Sequence, residues 1–190
     1  VRQMWGDLPL EISDVSEMDE APLILTLQLD YKSFAFFDAS RRQHFPADRN
    51  HIPAHLTLFH HLPGEMLQEI EPVLESTAAA NTAFRMRVTG LSFLGFGSAY
   101  QIDSEDLSGL RSGLASEWRH HLKRQDAQPF RPHITIQNKV DAADAKALYA
   151  ALFATFEAFD VTATGLLLWR YRGGPWELVR EFQFGVSSLS

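Results

Sequence analysis

The chain has 190 residues, of which 45% are apolar and 22% charged, as expected for one compact globular domain. Its 17 Lys and Arg against 24 Asp and Glu leave a net charge of −7, which argues against a broad basic surface for long nucleic acid but permits a local basic cleft. Cysteine is absent, which excludes a disulfide framework, a thiol nucleophile and a Cys-ligated zinc site.

Residues 1–21 read as a polar, acidic lead-in carrying Asp7, Glu11, Asp14, Glu17, Asp19 and Glu20. No basic segment followed by an apolar core occurs there, and no apolar run is long enough to span a bilayer. A cytoplasmic protein without membrane association is therefore expected. Residues 22–190 are expected to form one domain.

Leu23 to Leu29 (LILTLQL), bounded by Pro22 and Asp30, predicts a strand. Asp30 can cap a helix over residues 31–42, where Phe34, Phe37 and Arg41 recur at helical spacing. A proline-bearing loop precedes a strand at His55 to His60. Met66, Leu67, Ile70, Val73 and Leu74 mark one face of a second helix. Phe84 to Phe93 and Ser98 to Ile102 predict two strands joined at Gly95-Phe96-Gly97. Leu107, Leu110, Leu114, Trp118 and Leu122 predict an amphipathic helix, and residues 123–131 a polar connection. A short strand at His133 to Gln137 follows. Asp141 can then cap a helix with Leu148, Leu152 and Phe156 on one face. Val161 to Tyr171 and Trp176 to Phe184 predict two long strands, with Trp176, Leu178, Phe182 and Phe184 sharing a face of the second. Hairpins mixed with helical crossovers imply an α+β fold.

Two segments repeat one pattern: Pro53-Ala54-His55-Leu56-Thr57-Leu58 and Arg131-Pro132-His133-Ile134-Thr135-Ile136. Strand side chains alternate between faces, so each segment presents an imidazole beside a hydroxyl and buries two aliphatics. One neutral and one protonated imidazole can coexist near neutral pH and share base and acid work in one reaction without metal. Thr57 and Thr135 can donate to oxygens that become charged in it. If the strands run straight, Phe59 and His61 share the His55 face, and Gln137 and Lys139 the His133 face. Arg131 and Lys139 are then either ligands for an anion such as phosphate or ordinary solvated charges, and Phe59 either a stacking surface or core.

No H-E-x-x-H or carboxylate cluster at metal spacing occurs, and the pairs His60-His61 and His120-His121 make no natural chelate. No metal or other cofactor is expected. No G-K-[ST] follows the glycine pairs at 95/97 and 173/174, which read as hairpin turns.

The doubled H-x-T-x, within HLTLFHHLPG and RPHITIQNKV, resembles the signature of the two-histidine phosphoesterases, in their 2′-5′ RNA ligase branch. The resemblance implies two pseudo-symmetric lobes of antiparallel sheet flanked by helices around a central cleft. It implies hydrolysis of 2′,3′-cyclic phosphates at RNA or nucleotide ends, or of related small cyclic phosphodiesters, with a possible reverse ligase activity. It casts His55 as proton donor and His133 as proton acceptor. Asn138 and Lys139 stand where better-known branches often carry Arg, and Ala54 stands where Pro often precedes the first His. The alternative is a module of the same fold that binds a nucleotide or RNA end without turnover. The expected partner is a nucleotide or RNA-end cyclic phosphate, bound by a monomer.

Overall fold

The computed structural model describes residues 20–185, so the acidic lead-in falls almost wholly outside the described residues. Seven strands and four α-helices follow one another: β1 Leu23–Leu29, α1 Tyr31–His44, β2 Leu56–Leu62, α2 Leu67–Ala80, β3 Phe84–Phe93, β4 Ser98–Asp103, α3 Glu105–Glu117, β5 His133–Gln137, α4 Ala142–Ala154, β6 Phe159–Tyr171 and β7 Trp176–Gln183.

All seven strands join one antiparallel α+β sheet in the order β2-β1-β6-β3-β4-β5, with β7 also on β6. The thirteen-residue β6 links two halves. Its C-terminal part lies between β1 and β7, whereas its N-terminal part pairs with β3. Ala163 marks the handover, opposite Leu29 on one side and Phe84 on the other. The two His-x-Thr segments therefore fall on β2 and β5, the opposite ends of that order. The sheet curls until β2 and β5 meet, while α1 packs across onto β5.

Local chemistry explains the helix starts. Asp30 accepts from the Ser33 N–H at 2.8 Å, and Ser104 from the Leu107 N–H at 3.2 Å. Asp141 stands at the N-cap of α4 but makes no side-chain capping bond, contrary to expectation. The helix α3 stops at Glu117, so Trp118 caps its end and Leu122 joins the core from beyond a turn closed by His121 N–H to the Trp118 carbonyl. Phe156 likewise lies past the end of α4.

The core is continuous through both halves and includes Leu25, Phe37, Leu56, Leu58, Ile134, Ile136, Leu166 and Leu168. Each such side chain contributes about 1.5–3 kcal/mol on leaving water. In β7 the expected shared face breaks. The register slips so that Leu178 pairs with Trp169 and Arg180 with Leu168, leaving Val179 unpaired. Leu178 is 43% exposed as a result, and Val179 packs on the core instead. No helix among the described residues is long and apolar enough to cross a membrane.

Candidate active site

The first segment enters β2 after a loop pinned from α1. The buried Asp38 carboxylate accepts the Ala54 N–H at 3.0 Å, a bond that a proline at this position could not make. His55 and Thr57 then point to one side, with Leu56 and Leu58 in the core. On β5, His133 and Thr135 do the same above Ile134 and Ile136. All four polar side chains line one cavity of about 150 Å³, together with Ile24, His60 and Trp176.

Both imidazoles are oriented by the same local contact. Nδ1 of His55 lies 2.8 Å from the Pro53 carbonyl, and Nδ1 of His133 lies 2.8 Å from the Arg131 carbonyl. A carbonyl only accepts, so each Nδ1 carries the proton and each Nε2 remains for chemistry. Burial pushes the His55 pKa down to about 4; the charges of Arg41, His60 and His133 add to this, and its bond to the Pro53 carbonyl opposes it. His55 is therefore neutral at physiological pH.

Both strands bulge one residue after the threonine. In β2, Thr57 pairs with Thr26 but Phe59 pairs with Leu25, so Leu58 is unpaired. In β5, Thr135 pairs with Ala99 but Gln137 with Ser98, so Ile136 is unpaired. Each bulge reverses the alternation beyond it. Phe59 consequently turns away from His55 into the core, where its ring packs edge-on against Trp118 and under the Arg111 guanidinium. The expected stacking surface is core. Gln137 likewise turns inward, buried beside Ser98, and does not line the cavity. Gly97 allows the close approach there, since a Cβ on it would fall 1.9 Å from the Gln137 carbonyl oxygen.

The two basic candidates separate. Arg131 is exposed and lines a separate groove of about 650 Å³ that also meets His133, with Phe93, Leu94, Gln101 and Asp103. Lys139 adopts φ 61° in an exposed turn, and its side chain lines neither the cavity nor the groove. His61 is passed over as well; the bulge delivers His60 to the cavity instead.

Several further residues shape the site that sequence reasoning had not assigned to it. Trp176 stands 4.7 Å from the His55 ring, and Trp169 stands 6.1 Å from Trp176 with its Nε1–H donated to Thr26. These rings wall a second, largely apolar cavity of about 400 Å³ that opens beside His55 and also meets Leu29, Tyr31, Phe34 and Ile52. Arg41, buried beside Phe37 and Asp38, and Arg111, buried on an otherwise apolar helix face, hold the motif strands from behind. The only sequence signal for either was a charge at a core-facing helical position. No group of three or more His, Cys, Asp or Glu among the described residues is placed to hold a metal ion.

Comparisons with known proteins agree with this architecture. TT0787 of Thermus thermophilus superposes with a TM-score of 0.62 at 19% identity, covering 87% of this chain and 99% of that one. E. coli LigT complexed with 3′-AMP gives 0.55 at 18% identity, covering 87% and 98%. E. coli LigT complexed with phosphate gives 0.53 at 18% identity, covering 88% and 99%. No curated protein sequence matches the chain. The family model described as the 2′-5′ RNA ligase superfamily matches residues 29–175, well over half of the sequence, and the chain belongs to that superfamily.

Proposed function

We propose that the protein is a metal-independent phosphodiesterase that opens 2′,3′-cyclic phosphates at nucleotide or RNA ends. The observation that carries this reading is the cavity shared by His55, Thr57, His133 and Thr135, in which both Nδ1 atoms are tied to carbonyls. One Nε2 takes a proton from water as its oxygen bonds to phosphorus. The bond from phosphorus to one ribose oxygen breaks, and the other imidazole protonates that oxygen. Thr57 and Thr135 donate to the non-bridging oxygens, where negative charge gathers.

Burial holds His55 in the neutral form, which accepts a proton, whereas the sequence resemblance casts it as donor. A phosphodiester anion in the cavity would pull the His55 pKa back up. The two assignments therefore differ in the pH profile they require.

The apolar cavity beside His55 supports a nucleoside as the rest of the substrate. It offers aromatic walls and few polar groups, and one of these, the Thr26 hydroxyl, already accepts from Trp169. A nucleobase suits it better than a charged group. The structures of E. coli LigT with 3′-AMP and with phosphate support the same class of ligand.

The test is incubation with 2′,3′-cyclic nucleotides and cyclic-phosphate-ended oligonucleotides, with and without EDTA, and identification of the product isomer. Turnover unaffected by EDTA is expected. Activity abolished by chelation and restored by a divalent metal would overturn the mechanism.

A further inference from the structure

The cavity holds a third imidazole that neither His-x-Thr segment supplies. His60 lies beyond the Leu58 bulge, which turns it onto the His55 face, and its side chain is 44% exposed. Its position is not left to chance. Asp126, almost fully buried, accepts from His60 Nδ1 at 3.0 Å, from the His60 backbone N–H at 2.9 and 3.0 Å, and from the His61 backbone N–H at 2.9 Å. Arg111 braces both partners of this arrangement, donating at 2.6 Å to the Leu58 carbonyl at the bulge and at 2.6 Å to the Asp126 carbonyl. A carboxylate only accepts, so His60 Nδ1 carries a proton and Nε2 is the atom left for a ligand.

The cavity also has a requirement that His60 can meet. A phosphodiester is an anion, yet among the described residues no Lys, Arg, Asp or Glu lines this cavity. His55 and His133 are each backed by a neutral carbonyl, while His60 alone is backed by a carboxylate. We infer that His60, oriented by Asp126, is a phosphate-binding residue of this site. With both ring nitrogens protonated it donates from Nε2 to a non-bridging oxygen, and Asp126 balances its charge. The arrangement leaves His55 and His133 to exchange protons with water and the leaving oxygen. The inference rests on the proposed phosphodiesterase reading for its substrate, though phosphate binding can be measured without turnover.

His60→Leu and His60→Gln both retain the backbone N–H groups that Asp126 accepts, so the anchoring of β2 by Asp126 persists in either variant. The expected result for His60→Leu is a rise of about 10-fold in KM for a 2′,3′-cyclic nucleotide and in the inhibition constant of inorganic phosphate, with kcat changed much less, as loss of one charge-assisted bond implies. His60→Gln, which keeps an N–H donor near the position of Nε2, should recover part of both. Unchanged phosphate affinity in His60→Leu, or a fall in kcat with KM unaltered, would overturn the inference. If the wild-type protein turns over no cyclic nucleotide, the phosphodiesterase reading fails, and calorimetric titration of both proteins with inorganic phosphate decides the role of His60 by the same criterion.

Discussion

Arg41, on the first helix, donates from Nη1 to the main-chain carbonyl of Thr135 at 2.8 Å, across 94 residues of sequence. Its Nε also meets Asn50 Oδ1 at 2.8 Å and the Ile52 carbonyl at 3.0 Å, in the loop leading to His55, and its guanidinium stacks on Phe45. Arg111 repeats the device in the other half, joining the Leu58 carbonyl to the Asp126 carbonyl and stacking on Phe59. Each arginine ties the connection before its own motif strand to the motif strand of the other half. Together they hold the two edges of one sheet at a fixed separation.

Replacing either arginine should therefore cost stability as well as activity. Arg41→Met and Arg111→Met each leave main-chain carbonyls without these donors, and Arg111→Met also removes a guanidinium that interacts electrostatically with Asp126. A loss of about 2–5 kcal/mol is expected, measured by urea unfolding. Arg41→Lys should restore only part of it, because one ammonium cannot reproduce the fork that reaches Thr135 and Asn50 together. A neutral effect of Arg111→Met on both stability and turnover would contradict this account.

The two motif histidines should fail as a unit. His55→Ala and His133→Ala are each expected to lower kcat by about 10²–10⁴-fold, the usual contribution of a placed acid or base. The double variant should lose less than the product, since both groups serve one transition state. Thr57→Val or Thr135→Val should cost about 10–10³-fold. Steady-state kinetics on folded protein, verified by circular dichroism, decides the matter.

His55 also links acidity to stability. Its folded pKa of about 4 lies below the unperturbed value of about 6.5. Between these limits the unfolded chain binds the proton that the folded chain refuses. The stability contribution is thus fully present above about pH 6.5 and is lost progressively as the pH falls towards 4. His55→Gln should flatten the pH dependence of unfolding free energy over that interval. In kinetics, a His55 that accepts the proton places the acid limb of kcat/KM well below 6.5; a His55 that must donate places the alkaline limb there.

Trp176 belongs to both cavities, so its removal should separate base recognition from phosphate recognition. Trp176→Ala is expected to raise KM for a cyclic nucleotide by about 10-fold or more, within the usual worth of one base–aromatic stack. The inhibition constant of inorganic phosphate should move by far less. Equal losses for both ligands would mean that Trp176 only shapes the catalytic cavity around His55.

The linear pattern of residues determined a good deal about this protein. Period-two alternation placed His55 beside Thr57 and His133 beside Thr135, because neighbouring side chains on a strand take opposite faces wherever the strand ends up. Alternation for strands and 3.6-residue spacing for helices located these elements, except that the third helix ends at Glu117 rather than Leu122 and the fourth short of Phe156, and Asp30 marked a true cap. Tertiary structure alone decided what lies beyond each threonine. The bulges at Leu58 and Ile136 arise from pairing with β1 and β4 and, at Leu58, are braced by Arg111 reaching across from α3. Nothing within either segment encodes them. One unpaired residue in each strand was enough to send Phe59 and Gln137 into the core and bring His60 to the cavity. Asp126, read as part of a polar connection, became the buried partner of His60 only because the chain after α3 folds back onto β2. Alternation is a property of neighbours along the chain, whereas the bulges and the buried charges depend on partners tens of residues away.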